Sequence, residues 1–184
     1  MGFKHRLMAG LLTITASAAI LVGTTAPAHA APYGPVPMMT SASLRCLDAD
    51  VGTIGSNGTK IQLWGCDIPN AVNQGWYLDY RGGGHWLIKN GRSGRCLDAD
   101  AGTIGRNGTK VQLWDCTPAT NQFGYALNQV WYRYEANGQS YWVNVDPRGS
   151  RRCLDADRGT IGGNGTKIQL WDCTPGAANQ DWHY

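Results

Sequence analysis

The stretch LRCLDADVGTIGSNGTKIQLWGC, residues 44–66, decides the reading of this chain because it returns twice, as GRCLDADAGTIGRNGTKVQLWDC at 94–116 and as RRCLDADRGTIGGNGTKIQLWDC at 151–173. The first two copies differ at 5 of 23 positions. Each copy is followed by an Asn-Gln-x-Trp element: Asn73 to Trp76, Asn128 to Trp131 and Asn179 to Trp182. The linkers between these elements vary, and the second carries an insertion around Phe123 to Leu127. Constant elements joined by variable loops are the mark of a repeated scaffold.

Inside each copy the pattern is that of β structure. Ile61 and Leu63 alternate with Gln62 and Trp64, the period of a half-buried strand, and the same alternation surrounds Val111 and Ile168. Asn57-Gly58, Asn107-Gly108 and Asn164-Gly165 are turn dipeptides lying between the Cys-Leu-Asp and Gln-Leu-Trp strands. Each copy therefore reads as a hairpin with a long tip.

The six cysteines fall in three pairs with a spacing of 20: Cys46 and Cys66, Cys96 and Cys116, Cys153 and Cys173. In an exported chain they read as three disulfides, one per repeat. A zinc site fits poorly, since its ligands usually stand two to four residues apart and His85 and His183 lie outside the pattern. If Cys46 faces Cys66 across an antiparallel pair, facing residues share one index sum, so Asp48 faces Trp64 and Asp50 faces Gln62. Asp98 then faces Trp114, and Asp155 faces Trp171. Leu47, Ile61 and Leu63 point to the opposite, dry face.

Copies one and two lead into further strands at Trp86 to Lys89 and Trp142 to Val145, whereas the third ends at Tyr184. Val36 to Met39 stands at the corresponding distance before Cys46 and is expected to supply the missing strand. That closes three units into a ring with few open edges.

Composition agrees. With 25 glycines, 8 tryptophans and only 16% charged residues, the chain is no coiled coil or helical bundle, and 42% hydrophobic residues argue against disorder. Lys4 and Arg6 precede an apolar stretch from Leu7 to Val22 and then Ala28-His29-Ala30, which reads as a secretory signal peptide cleaved after Ala30. Removing it takes the formal net charge of +3 to near +1. No basic cluster remains to serve as a footprint for nucleic acid, and no membrane insertion is expected. The expected organisation is a signal peptide at 1–30 and one domain at 31–184, with repeats at about 36–80, 81–134 and 135–184.

The triple CLDAD…QLWxC…NQxW pattern resembles the ricin B-type lectin domain, also grouped as carbohydrate-binding module family 13, from about Val36 to Tyr184. The resemblance implies an all-β chain: a β-trefoil of twelve strands with three homologous repeats and one shallow sugar pocket per repeat. Matched residue by residue, the first pocket uses Asp48, Gln62, Trp64, Asn73 and Gln74. The second uses Asp98, Gln112, Trp114, Asn128 and Gln129, and the third Asp155, Gln169, Trp171, Asn179 and Gln180. The GTIGxNGTK hairpin tip departs from the family pattern and bears on the pocket rim. Chemically, a pyranose offers an apolar CH face and a belt of hydroxyls, which suits one aromatic plate beside a carboxylate and amides.

Trp76, Trp131 and Trp182 are assigned to the core, while the Gln of Asn-Gln-x-Trp either contacts sugar or orients the loop and the Asp. Asp50, Asp100 and Asp157 fit turn or rim hydrogen bonding better than calcium or paired catalytic acids. The Asn-Gly-Thr sequons read as turns. No cofactor, metal site or Ser/His/Asp set is expected, nor room for an appended catalytic domain. The leading expectation is a secreted, extracellular, non-enzymatic lectin recognising galactose- or xylose-type glycans or polysaccharides. A protein-binding or protease-inhibitor trefoil using the Phe123–Leu127 loop comes second, a glycoside hydrolase third. Oligomeric state is left open.

Overall fold

Strands that alternate apolar and polar residues must bury one face, and in a threefold repeat the cheapest way is against the other two copies. A computed structural model shows this arrangement; it describes residues 1–2, 30–67 and 70–184. The proposed signal peptide, apart from residues 1, 2 and 30, lies outside the described residues.

Thirteen strands are found among the described residues: β1 (Tyr33–Val36), β2 (Met39–Thr40), β3 (Cys46–Ala49), β4 (Thr59–Trp64), β5 (Trp76–Gly82), β6 (His85–Asn90), β7 (Cys96–Ala99), β8 (Thr109–Trp114), β9 (Val130–Ala136), β10 (Gln139–Val145), β11 (Arg151–Ala156), β12 (Thr166–Asp172) and β13 (Trp182–His183). Twelve of them divide into three groups of four, beginning at β2, β6 and β10. β1 is the extra strand, laid antiparallel along β5. The fold is a β-trefoil.

The hairpins β3/β4, β7/β8 and β11/β12 meet one another through β4, β8 and β12. β4 pairs with β8, β8 with β12 and β12 with β4, which closes the ring. Their dry faces supply Leu47, Ala49, Ile61 and Leu63, with the equivalent residues of the other repeats, to one shared core. Trp76, Trp131 and Trp182 are completely buried there, as the sequence suggests. Each indole Nε1 donates to a carbonyl of its own repeat: Leu47 at 3.0 Å, Leu97 at 3.0 Å and Leu154 at 2.9 Å.

The disulfides join Cys46 to Cys66, Cys96 to Cys116 and Cys153 to Cys173, with Cα separations of 5.1, 5.1 and 5.0 Å. The hairpin register differs from the expected one by two residues. Cys46 faces Trp64 and Asp48 faces Gln62, with Cys96 opposite Trp114, Asp98 opposite Gln112, Cys153 opposite Trp171 and Asp155 opposite Gln169. The cause is that the disulfide lies at the margin of the ladder. Cys66 and Cys116 follow the end of their strands, so the bridge spans a diagonal and not a facing pair. A two-residue slip leaves every side chain on its expected face.

The ring closes through the termini. β2 pairs with both β3 and β13, Trp182 opposite Thr40 and Met39 opposite Cys46. The closing strand is thus Met39–Thr40 and not Val36 to Met39, and Val36 pairs with Trp76 in β1–β5.

Candidate functional site

In each repeat one buried aspartate organises the polar face of the hairpin. Asp48 lies on β3 and Gln62 opposite it on β4, so Gln62 Nε2 reaches Asp48 Oδ1 at 3.1 Å. A short 3-10 turn at Val72–Gln74 carries the other two amides. Asn73 Nδ2 donates to Asp48 Oδ2 at 2.8 Å and Gln74 Nε2 to the same oxygen at 2.9 Å. Asp98 receives Gln112 at 3.1 Å, Asn128 at 2.8 Å and Gln129 at 2.9 Å. Asp155 receives Gln169 at 3.1 Å, Asn179 at 2.8 Å and Gln180 at 2.8 Å. Twelve of the fifteen residues singled out in the sequence therefore gather as three sets of four, one in each repeat.

The amides are not equivalent. Gln74 also donates to the Gly65 carbonyl at 3.0 Å and accepts from the Asp67 N–H at 3.0 Å, which ties the segment after the disulfide to the aspartate. Gln129 and Gln180 do the same with Asp115 and Thr117, and with Asp172 and Thr174. Their donor and acceptor groups are engaged within the protein, so these glutamines position the loop and the carboxylate. Asn73 spends both N–H groups, on Asp48 and on the Ala49 carbonyl. Its carbonyl oxygen remains open to a donor; in the third repeat the equivalent Asn179 Oδ1 is buried without a protein partner. A carboxylate offers about four acceptor positions, of which three are filled here.

The tryptophan two residues beyond each glutamine stands outside this buried network. Trp64, Trp114 and Trp171 are 43%, 40% and 41% exposed, whereas Trp76, Trp131, Trp142 and Trp182 are completely buried. At the first repeat, Trp64, Asp48, Gln62 and Asn73 line a concavity of about 540 Å³, and at the third, Trp171, Asp155, Gln169 and Asn179 line one of about 300 Å³. Burial raises Asp98 and Asp155 above the ordinary carboxylate value of 3.8, and the three amide donors offset only part of that effect.

Asp50, Asp100 and Asp157 serve the turn. Their Oδ2 atoms accept from the hydroxyls of Thr53, Thr103 and Thr160 at 2.8, 2.8 and 3.0 Å, and each backbone carbonyl accepts the N–H of the same threonine.

The hairpin tip reaches out of its own repeat. Gly58, at φ +87°, donates its N–H to Leu113 O of the next repeat at 2.8 Å; Gly108 bonds Leu170 in the same way, and Gly165 bonds Leu63. A left-handed backbone at these points is what the Asn-Gly pairs provide. Asn57 exchanges bonds with Asp115, its Nδ2 donating to Oδ2 at 2.9 Å and its Oδ1 accepting the Asp115 N–H at 2.7 Å. Arg95 lies across this joint, paired with Asp115 and bonded to Gly55 O at 2.8 Å. Asn107, Asp172 and Arg152 repeat the clasp between the second and third repeats. Between the third and first, Asn164 accepts from the Gly65 N–H at 2.9 Å and from Arg45, with no carboxylate at position 65. Tip glycines thus border the next repeat's site: a Cβ on Gly108 would stand 4.0 Å from Gln169 Oε1 and from Trp171.

Sequence reasoning missed these cross-repeat neighbours and the rim residues Val51, Asp67, Arg158 and Thr174, which line the two concavities. No intra-repeat pattern could signal a contact made between repeats. The inserted segment around Phe123 is half-buried, with Phe123 and Tyr125 packed on Leu87 and Val130 and the Arg81 guanidinium 4.7 Å above the Tyr125 ring.

A family model for the ricin-type beta-trefoil lectin domain-like family matches the chain over residues 38–114 and again over 72–171. No curated protein matches it in sequence. Among solved structures it is similar to the designed 3-fold symmetric protein ThreeFoil, with 20% identity, TM-score 0.66 and coverage of 79% of this chain and 94% of the other. It is similar to the C-half of the earthworm R-type lectin in complex with GalNAc, with 22% identity, TM-score 0.55 and coverage of 80% and 94%. A third likeness, at 25% identity and TM-score 0.62, is to 1,3Gal43A, an exo-beta-1,3-galactanase from Clostridium thermocellum, where 79% of this chain covers 28% of the other.

Proposed function

Since the chain belongs to the ricin-type beta-trefoil lectin domain-like family, we propose that it is a secreted, non-enzymatic carbohydrate-binding protein with three shallow sites for galactose- or xylose-type glycans or polysaccharides. The observation that carries this reading is the pairing, three times over, of an exposed tryptophan with a buried aspartate held by three amides. The ring offers a plate for the apolar face of a pyranose. Asp48 keeps an unfilled acceptor position, and the carbonyls of Gln62 and Asn73 add two more for sugar hydroxyls. Gln74, Gln129 and Gln180 hold this arrangement in place without touching sugar.

The same bonding supports a role without catalysis. Glycoside hydrolysis needs an acid and a base or nucleophile free to exchange protons. Here the first aspartate of each repeat is held by three amides and the second by a turn threonine, and the same pair stands in all three repeats, which suits three binding sites better than one cleft with an acid and a nucleophile. Three disulfides support export through a signal peptide at 1–30, and no helix among the described residues is long and apolar enough to cross a membrane. The half-buried Phe123 segment is suited to bracing the scaffold more than to docking a partner protein.

Single shallow sites bind weakly, and several engaging one polysaccharide gain on the order of 10² to 10⁴ in avidity where geometry allows. The test is a glycan array followed by calorimetric titration with galactosides and xylo-oligosaccharides, together with an assay for new reducing ends. Binding without release of reducing ends is expected. A folded, fully oxidised protein that binds no glycan refutes the reading.

A further inference from the structure

The three sites share their five central residues, so any difference in what they accept must come from the rim. Three rim positions differ, and one of them, Gly65 where the other copies have Asp115 and Asp172, is committed to the joint between repeats, its aspartates being paired with Arg95 and Arg152; two remain. The first follows the second aspartate of each motif and is Val51, Ala101 or Arg158. Its backbone is held by the same turn in every repeat, closed by the Thr53, Thr103 or Thr160 N–H, so the three side chains occupy equivalent places. The second follows the second cysteine and is Asp67, Thr117 or Thr174, each fixed by donating its N–H to the positioning glutamine.

Both positions change the charge in the same direction. The first concavity is lined by Asp48, Asp50 and Asp67 with no basic residue, and the third by Asp155, Asp157 and Arg158. Arg158 is exposed and enters none of the ion pairs of the described residues. Its neighbour Asp157 is engaged by the Thr160 hydroxyl at 3.0 Å. A guanidinium on the wall of a concavity, without a carboxylate partner, presents forked N–H donors that match a ligand carboxylate.

Resting on the carbohydrate-binding reading above, we propose that the third site selects acidic glycans, in which a hexuronate lies beside the sugar seated on Trp171, with Arg158 as the specificity-determining residue. The first site, with Asp67 on its rim, disfavours the same ligands, and the second is indifferent. The protein then engages a mixed polysaccharide through neutral residues at one site and uronate-bearing ones at another.

The test compares a glucuronate-bearing galactan and a glucuronoxylan with the same polysaccharides after carboxyl reduction, so that only the charge differs. Trp64→Ala with Trp114→Ala leaves the third site alone; Trp114→Ala with Trp171→Ala leaves the first. At the third site the acidic form is expected to bind about fivefold more tightly at low salt, the upper range for an exposed ion pair, and the preference fades as salt shortens the Debye length to about 3 Å at 1 M. Arg158→Val should collapse the ratio of acidic to neutral affinity toward one, and Val51→Arg with Asp67→Thr should create it at the first site. A ratio at the third site of one or below, or one that survives Arg158→Val, overturns the proposal. Failure of the wild-type protein to bind any of the four polysaccharides strikes instead at the carbohydrate-binding reading, and the proposal falls with it.

Discussion

Asp48, Asp98 and Asp155 show how a carboxylate is kept inside a protein without a cation. Each takes three amide N–H groups, and in the second and third repeats burial still raises the carboxyl above 3.8. The native state therefore holds these protons more tightly than the unfolded chain. The stability they contribute is fully present below the unfolded value of 3.8 and is lost as pH rises through the raised native value. Sugar binding runs the other way, because protonation removes an acceptor. Titration from neutral pH down toward 3.8 should show affinity falling as these carboxyls take up protons, while the two groups leave the melting temperature supported. A melting temperature that drops in step with affinity would attribute the loss to unfolding. Trp64→Ala, Trp114→Ala and Trp171→Ala should each weaken binding at their own site by about tenfold without unfolding the protein, the covered part of each residue costing some stability when it is removed. Normal binding by the triple variant would show the sites to be misassigned. The two classes of tryptophan were legible in the sequence, because alternation puts Trp64 on the face of Asp48 while Trp76 lies outside the hairpin and reads as a core residue at a strand end; the structure instead places it at the start of β5. The exhaustion of the Gln74 hydrogen bonds was not, because its partners, Gly65 and Asp67, belong to a segment with no regular pattern.

At the scale of the element, the hairpin tip is the part whose purpose the sequence left open. Its nine-residue form exists to reach the neighbouring repeat. Two of the three joints carry an Asn, Asp and Arg cluster; the third has Gly65 where the others have Asp115 and Asp172. A Cβ at Gly65 would lie 3.8 Å from Arg45 Nη1 and 3.8 Å from Asn164 Oδ1, at ordinary contact distance. Gly65→Asp is therefore expected to complete the joint and stabilise the protein by about 0.5–1 kcal/mol, read as a rise in melting temperature, with Asp115→Gly shifting it down. No change on Gly65→Asp would mean that the clasp carries geometry without energy. The register slip belongs to this scale too. A disulfide with Cα atoms near 5 Å apart can join a facing pair or a diagonal at the end of a ladder, and spacing alone does not choose between them.

For the whole molecule, threefold closure distributes stability over three equal loops. Each disulfide closes a segment of separation 20, and by chain entropy each contributes about 3 kcal/mol. Replacing Cys96 and Cys116 together by alanine should cost about that much in denaturant-induced unfolding, and full reduction should cost enough to unfold the chain. A fully reduced protein with unchanged stability would place the constraint in the shared core instead. Much of this architecture was present in the sequence alone: three copies, the period-two alternation, the turn dipeptides and the paired cysteines determine a threefold all-β chain with a dry and a polar face, because these are local properties of each repeat. What only the tertiary structure decided lies between repeats or at their margins. The pairing of β4, β8 and β12, the seat of each tip on the next repeat, the place of β2 in closing the ring and the charge of each rim depend on which surfaces meet. A repeated sequence says the same thing three times, and contacts between its copies form only once the ring has closed.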